Sequence, residues 1–418
     1  MIIEICPSKI VGLLQAPASK SMMQRAIAAA FLSENPVQIE GYTSSADSDA
    51  ALELVRSLGK NVEIQNTSLY IRSGSDQLTT HLNSSESGLG IHLFSPILAL
   101  YDKPFILEAE GTLQKRPVDL IEKVLRSNGA QCSTNNGFAP IRIQGPLKGG
   151  KIIFDASEGS QLLSGMLMAL PRLGNSSQLL VENLKSKPYI DMTISLLRDF
   201  GVEVKQSDYS HFEILGNQQY NANKYQVEGD WSGAAFLLVA AAINGSIQLE
   251  NVKRDSLQGD KNIVEVLTQV GATINQEGNR IFVEKKDLFP FVYDATETPD
   301  LFPPLAALAV SCSGVSRIKG VHRLIHKESN RAEAIYEMLK KLGLKVEFEG
   351  DEMLIAGGQA NGGKVSSSHD HRMAMMAALL GLTAKDVIQI TEAESIDKSY
   401  PQFYEDMQSI GHQIKTIT

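Results

Sequence analysis

Leu196-Leu197-Arg198-Asp199-Phe200-Gly201-Val202-Glu203-Val204 joins two patterns at one glycine. Leu196, Leu197 and Phe200 continue an apolar stripe at helical spacing, and Val202-x-Val204 followed by Phe212-x-Ile214 alternates like a strand hairpin. A glycine between them can take the left-handed conformation that ends a helix. The same junction recurs at Gly59, Gly129, Gly271, Gly343 and Gly411, about 70 residues apart. Counting back from each gives Ala51, Leu54, Val55 and Leu58; Ile121, Val124 and Leu125; Ile263, Val266, Leu267 and Val270; Ile335, Met338, Leu339 and Leu342; and Phe403, Met407 and Ile410. One helix-glycine-strand junction is common in any α/β protein, but six in phase imply duplication. The expected architecture is pseudo-symmetric α/β, with ligands in a cleft between two groups of three units.

The chain has 418 residues, 43% hydrophobic and 21% charged, enough for two or more domains. Its longest apolar runs, Ala234 to Ile243 and Leu305 to Val310, are too short for a bilayer-spanning helix. The start, Met1-Ile2-Ile3-Glu4-Ile5-Cys6, alternates like a strand and carries no secretory pattern, so a cytoplasmic protein is expected. Cys6, Cys132 and Cys312 stand too far apart for a zinc ribbon or a disulfide framework. A formal charge of −9 argues against nucleic acid as a partner and leaves small anions, provided that cations converge locally.

Such cations cluster near helix beginnings. His326-Lys327-Glu328-Ser329-Asn330-Arg331 sets cations and a carboxylate just ahead of the fifth stripe. Pro17-Ala18-Ser19-Lys20-Ser21 runs into an apolar helix that contains Arg25, where Ser19 or Ser21 can serve as cap and the first amides can face an anion. Arg116-Pro117, Glu158-Gly159-Ser160-Gln161, Ser186-Lys187-Pro188-Tyr189, Pro299-Asp300, His369-Asp370-His371-Arg372 and Asp397-Lys398 sit in similar places. Each taken singly is an ordinary cap or solvated face. Together, Lys20, Arg25, Arg116, Lys327, Arg331, Arg372 and Lys398 predict one strongly cationic site. The HxxxH and HxH spacings of His322, His326, His369 and His371 do not make a metal centre, because no acidic or cysteine partner has matching spacing and Arg372 would crowd a cation.

In Lys20-Ser21-x3-Arg25, Ser87-Gly88, Arg116-Pro117, Ser160-Gln161, Ser186-Lys187-Pro188-Tyr189-Ile190-Asp191, Pro299-Asp300, Lys327-Glu328-Ser329-x-Arg331, Asp370-His371-Arg372-Met373-Ala374-Met375 and Lys398-Ser399-x-Pro401, the chain resembles the 5-enolpyruvylshikimate-3-phosphate synthase family over nearly its whole length. The resemblance implies an α/β (α+β) fold, the two-domain inside-out barrel of enolpyruvyl transferases, built from six βαβαββ units, three per domain. It implies a discontinuous domain, 1–19 plus 229–418, with 20–228 inserted. The implied reaction moves the enolpyruvyl group of phosphoenolpyruvate to the 5-hydroxyl of shikimate 3-phosphate and releases phosphate, with no cofactor or metal, in a monomer. By the same resemblance Lys20, Gly88, Arg116, Gln161, Arg331, Arg372 and Lys398 hold phosphoenolpyruvate. Lys20, Ser21, Arg25, Ser160, Gln161, Ser186, Asp300 and Lys327 hold shikimate 3-phosphate.

Addition and elimination through a tetrahedral intermediate need an acid and a base at once. Family precedent points to Glu328 as donor and Asp300 as acceptor, with Lys327 and Lys20 also catalytic; which group moves which proton stays open in the sequence. A carboxyl among cations is a poor acid unless desolvation or a bound anion raises its pKa. Four positions depart from the family pattern: His92 replaces an arginine, Leu89 a threonine, Gly159 a serine and Asn330 an aspartate. The sister transferases that act on UDP-N-acetylglucosamine share the fold, but the lysine-asparagine pair and loop cysteine expected of them are missing here. A paralogue that binds anions without turnover is the other alternative, distinguishable by phosphate release.

Overall fold

The computed structural model describes residues 1–75 and 78–417. The chain divides into two compact units, one formed by Met1–Ser19 with Glu228–Thr418 and the other by Lys20–Val227. Among the described residues there are six four-stranded sheets, three in each unit, all with one topology. Strands Gly150–Asp155, Ser177–Glu182, Val204–Ser207 and His211–Ile214 illustrate it. The first two pair in parallel, and the fourth strand lies antiparallel between the second and the third. A helix joins the first strand to the second and another the second to the third, which is the βαβαββ unit.

Three sheets are contiguous in sequence and three are completed by distant strands. Ile10–Gln15 supplies the first strand of the sheet that continues at Gly245–Glu250. Lys224–Gln226 does the same for Val37–Glu40. Ile2–Cys6 closes the last sheet between Ile388–Thr391 and Gln413–Thr416.

The helices alternate in kind. Those between parallel strands are α1 (Lys20–Leu32), α3 (Gly88–Leu98), α5 (Gln161–Ala169), α7 (Trp231–Asn244), α9 (Phe302–Val310) and α11 (His371–Gly381). They are apolar on nearly every side and almost wholly buried, as such sequences require. In the discontinuous unit α7, α9 and α11 touch one another pairwise; in the other, α3 packs on α1 and α5. The sheets surround these helices with one face in and one out, as alternating burial along Val315–Lys319 or Arg280–Glu284 shows.

The second helices are α2 (Ala46–Ser57), α4 (Asp119–Ser127), α6 (Lys187–Asp199), α8 (Ile263–Gln269), α10 (Arg331–Lys341) and α12 (Phe403–Ser409). They are amphipathic, and each is followed by one of the six glycines. Those glycines have φ between +77° and +103°. Each N–H bonds back three residues, and the next N–H bonds back five, as in Gly201 to Arg198 and Val202 to Leu197. This Schellman closure satisfies the last free carbonyls and turns the chain into the hairpin.

Candidate active site

In the discontinuous unit α10 begins at Arg331, so His326–Ser329 lie in the turn ahead of it. Asn330 caps that helix, its side-chain oxygen accepting from Glu333 N at 3.5 Å; the amide serves where the family commonly has aspartate. The Arg331 side chain is 0% exposed. Its Nε donates to Asp370 Oδ2 at 2.7 Å, its Nη1 to Asp300 Oδ1 at 2.8 Å, and its Nη2 to Glu328. Burial alone would lower the guanidinium pKa, but Asp370, Glu328 and Asp300 together raise it.

Asp370 serves twice, since Oδ1 also accepts from Arg372 N at 3.0 Å and caps α11. Arg372 Nη1 donates to His371 Nε2 at 2.6 Å, and its Nη2 lies 3.1 Å from Asp300 Oδ2 and donates to Ser232. Asp300, in the short turn Pro299–Leu301 before α9, is thus shared between two guanidinium groups. Burial pushes its carboxyl up, yet Arg372, Lys327 and Arg331 outweigh that and hold it well below the usual carboxylate range. Lys327 goes the other way: burial, reinforced by Arg331 and Arg323, lowers its ammonium to about 8 against the pull of Asp300 and Glu328. Lys398 is buried at the end of the turn Ala393–Lys398. His322, which the sequence sets beside His326, pairs instead with Asp351 at 2.8 Å.

In the other unit Lys20 opens α1, and its ammonium lies 2.9 Å from Asp47 Oδ2. Ser19, on the other side of the boundary, gives its hydroxyl to Gln258 Oε1 at 3.2 Å. Arg25 is 1% exposed and ties three helices together. Its Nε donates to Thr193 Oγ1 at 2.8 Å, Nη1 to Ser21 O at 2.9 Å, and Nη2 to Ser164 Oγ at 3.2 Å and Tyr189 O at 3.4 Å. Burial lowers it to about 10. Ser87 caps α3. Gly88 stands so close to Arg116 that an added Cβ would meet Nη1 at 2.6 Å.

His92 Nδ1 donates to Gly88 O, 2.7 Å away, and burial, helped by Arg116, lowers it to about 4. It is neutral, so the arginine expected there is not replaced by a cation. Ser160 and Ser186 precede α5 and α6 without capping them through their side chains, Ser186 being left-handed at φ 59°. Their hydroxyls are not spent as the cap reading of these positions requires. Gln161 is the first residue of α5.

Lys20, Arg331 and Arg372 each hold a carboxylate. Of their acidic partners, Asp300 and Glu328 are named from the sequence, and Asp370 and Asp47 are not assigned to the site from it. Asp370 has a legible signal, an aspartate directly before His371-Arg372 at a helix start. Asp47 lies in the first turn of α2, two residues after its cap Ser45, and nothing in sequence ties it to Lys20. Ser164 and Thr193 are hydroxyls inside otherwise apolar helix faces, a weak mark of a buried polar partner.

The family model described as EPSP synthase (3-phosphoshikimate 1-carboxyvinyltransferase) matches residues 6–407. A 3-phosphoshikimate 1-carboxyvinyltransferase of Clostridium kluyveri is 36% identical over 417 residues, which cover 99% of this chain and 98% of that one. One from Clostridium botulinum is 34% identical over 419 residues, 98% and 97% of the two chains. The solved EPSP synthase of Acinetobacter baumannii matches all of both chains with a TM-score of 0.84 at 27% identity.

Proposed function

The chain belongs to the EPSP synthase (3-phosphoshikimate 1-carboxyvinyltransferase) family, and from that premise we propose how its residues divide the reaction. The enzyme transfers the enolpyruvyl group of phosphoenolpyruvate to shikimate 3-phosphate in aromatic biosynthesis. The 5-hydroxyl of shikimate 3-phosphate forms a bond to C2 of the enol while C3 gains a proton. Phosphate then leaves C2 as C3 returns a proton and the double bond re-forms.

The observation that carries the assignment of roles is that buried Arg331 holds both Asp300 and Glu328, with Arg372 sharing Asp300. Carboxylates held this way are weak bases and poor acids. An incoming carboxylate or phosphate that takes up the two guanidinium groups weakens that hold, so acid and base are armed when the anionic substrate is seated. Glu328 then gives the proton to C3 and Asp300 receives the proton of the hydroxyl. Lys327, charged at neutral pH and able to lose its proton near pH 8, holds shikimate 3-phosphate and stabilises the developing charge.

Phosphoenolpyruvate is held by Lys20, the Gly88 backbone, Arg116, Gln161, Arg331, Arg372 and Lys398. Shikimate 3-phosphate is held by Lys20, Ser21, Ser160, Gln161, Ser186, Asp300 and Lys327. Arg25 joins that second set by exchanging its longest bond, the 3.4 Å one to Tyr189 O. The enzyme works as a monomer in the cytoplasm; no helix among the described residues is long and apolar enough to cross a membrane.

Phosphate release from phosphoenolpyruvate, with and without shikimate 3-phosphate and with no added metal, tests these roles. Release needs both substrates, and kcat/KM for shikimate 3-phosphate falls about tenfold per pH unit above pH 8 as Lys327 loses its proton. Lys327→Arg, charged throughout, is slower but has no such alkaline limb. A limb that persists in Lys327→Arg removes Lys327 from this role.

Gly88→Ala tests the contact with Arg116. The new methyl displaces the guanidinium, so KM for phosphoenolpyruvate rises about tenfold while that for shikimate 3-phosphate holds. Equal changes in both would mean that Arg116 does not hold phosphoenolpyruvate.

A further inference from the structure

We propose that Ser164 and Thr193 are positioning residues for Arg25, a pair of neutral hydroxyls that fixes the guanidinium as a carboxylate would while leaving its charge for the anion of shikimate 3-phosphate. This rests on Arg25 holding that substrate.

Ser164 lies in α5 and Thr193 in α6, and both are 0% exposed. Thr193 Oγ1 accepts from Arg25 Nε at 2.8 Å and Ser164 Oγ from Nη2 at 3.2 Å, and the two oxygens are 2.9 Å apart. Nε and Nη2 share one edge of the planar fork, so adjacent oxygens on that edge set the plane and rotation of the group as a bidentate carboxylate does. The hydroxyl hydrogens are all placed. Thr193 gives its own to Tyr189 O at 2.8 Å, one helical turn back, which leaves Ser164 to give its own to Thr193 Oγ1. The donors run from the guanidinium through Ser164 and Thr193 to a backbone carbonyl and end there.

The other cations are held differently. Lys20 lies 2.9 Å from Asp47, Arg372 lies 3.1 Å from Asp300, and Arg331 holds Asp370, Asp300 and Glu328. Arg25 has no carboxylate partner among the described residues, since its remaining bonds go to carbonyls, Ser21 O at 2.9 Å and Tyr189 O at 3.4 Å. A buried charge with no counter-ion is costly until a ligand supplies one. Burial brings the guanidinium down only to about 10, so it is charged at neutral pH. When an anionic substrate arrives, Lys20, Arg331 and Arg372 must exchange a carboxylate for it, whereas Arg25 gives up no ion pair.

Thr193→Val keeps the shape of the side chain and removes the acceptor. KM for shikimate 3-phosphate at saturating phosphoenolpyruvate rises about tenfold, and KM for phosphoenolpyruvate at saturating shikimate 3-phosphate stays within about twofold. Thr193→Ser restores the hydroxyl and brings the first constant back to within about threefold of native. Equal rises in both constants, or a Thr193→Ser protein as impaired as Thr193→Val, overturn the proposal and leave the pair a packing contact. If Thr193→Val does not fold, Ser164→Ala carries the test with a severalfold rise in the same constant alone, and no rise there overturns the proposal.

Thr193→Asp and Thr193→Asn, matched in size, test the neutrality of the pair. The new carboxylate competes with the substrate's anion, so KM for shikimate 3-phosphate is about tenfold higher in Thr193→Asp than in Thr193→Asn. Equal constants, or a lower one in Thr193→Asp, overturn the claim that neutral partners keep the charge for the substrate. Arg25→Gln separates this inference from the reading beneath it. If it leaves KM for shikimate 3-phosphate unchanged, Arg25 does not hold that substrate and both fall. If it raises that constant while Thr193→Val is native, only the role of the hydroxyl pair falls.

Discussion

Asp300→Ala lowers kcat about a thousandfold, within the range that a positioned acid or base contributes, while KM for phosphoenolpyruvate falls. The two effects have separate causes in one carboxylate. Its oxygens lie 2.8 Å from Arg331 Nη1 and 3.1 Å from Arg372 Nη2, so in the free protein it occupies donors that the substrate's anion needs. Removing it deletes the proton acceptor and vacates both guanidinium groups at once. The fall in KM is severalfold. Steady-state phosphate release gives both constants. A kcat within tenfold of native removes Asp300 as the acceptor, and a rise in KM for phosphoenolpyruvate means that it helps to hold the anion and does not compete for it.

The six glycines were legible because a Schellman closure needs a residue at positive φ, which glycine supplies at no steric cost, at the end of an amphipathic stripe. Strand partners were not legible. Ile2–Cys6 alternates as any half-buried strand does, and nothing in that pattern names Ile388–Thr391 and Gln413–Thr416 as its neighbours. Periodicity fixes which face is buried, whereas partner choice is decided by chain closure across almost the full length.

The site divides in the same way. Cations at helix starts stand out against apolar helices such as α11, so Arg331, Arg372 and Lys20 could be picked from sequence. Asp47 could not, since it has the appearance of a first-turn acid that favours any helix N-terminus, and Asp370 shows in sequence only as the cap of α11. Only the fold brings Asp370 under Arg331, 39 positions earlier in the chain. A site inferred from its cations alone is therefore overdrawn in charge, and the balance held by its carboxylates is what gives the free protein its pH dependence.

Arg331→Ala destabilises the discontinuous unit by about 3–5 kcal/mol and abolishes turnover. The guanidinium is 0% exposed and donates to Asp370, Asp300 and Glu328, so its removal leaves buried carboxylates facing one another without the shared cation. The damage spreads along Asp370, which also accepts from Ser329 at 3.1 Å and caps α11, where Arg372 begins its reach. Arg331→Lys restores a charge but not a planar fork that can serve three acceptors, and it recovers less than half of the loss. Trp231, the single tryptophan, is buried in this same unit, so its fluorescence through a urea transition reports the unit directly. The sign with pH follows from Asp300, whose carboxyl is held low by Arg372, Lys327 and Arg331 against burial. Its contribution to the native enzyme is present above the ordinary carboxylate range and is lost as pH falls toward the depressed value. The variant has less of that contribution to lose, and its crowded carboxylates are relieved by protonation. The gap between native and Arg331→Ala midpoints is therefore widest near pH 7 and narrows toward pH 4. A gap that is constant with pH would mean that the loss is one of packing volume, with the three ion pairs contributing nothing net.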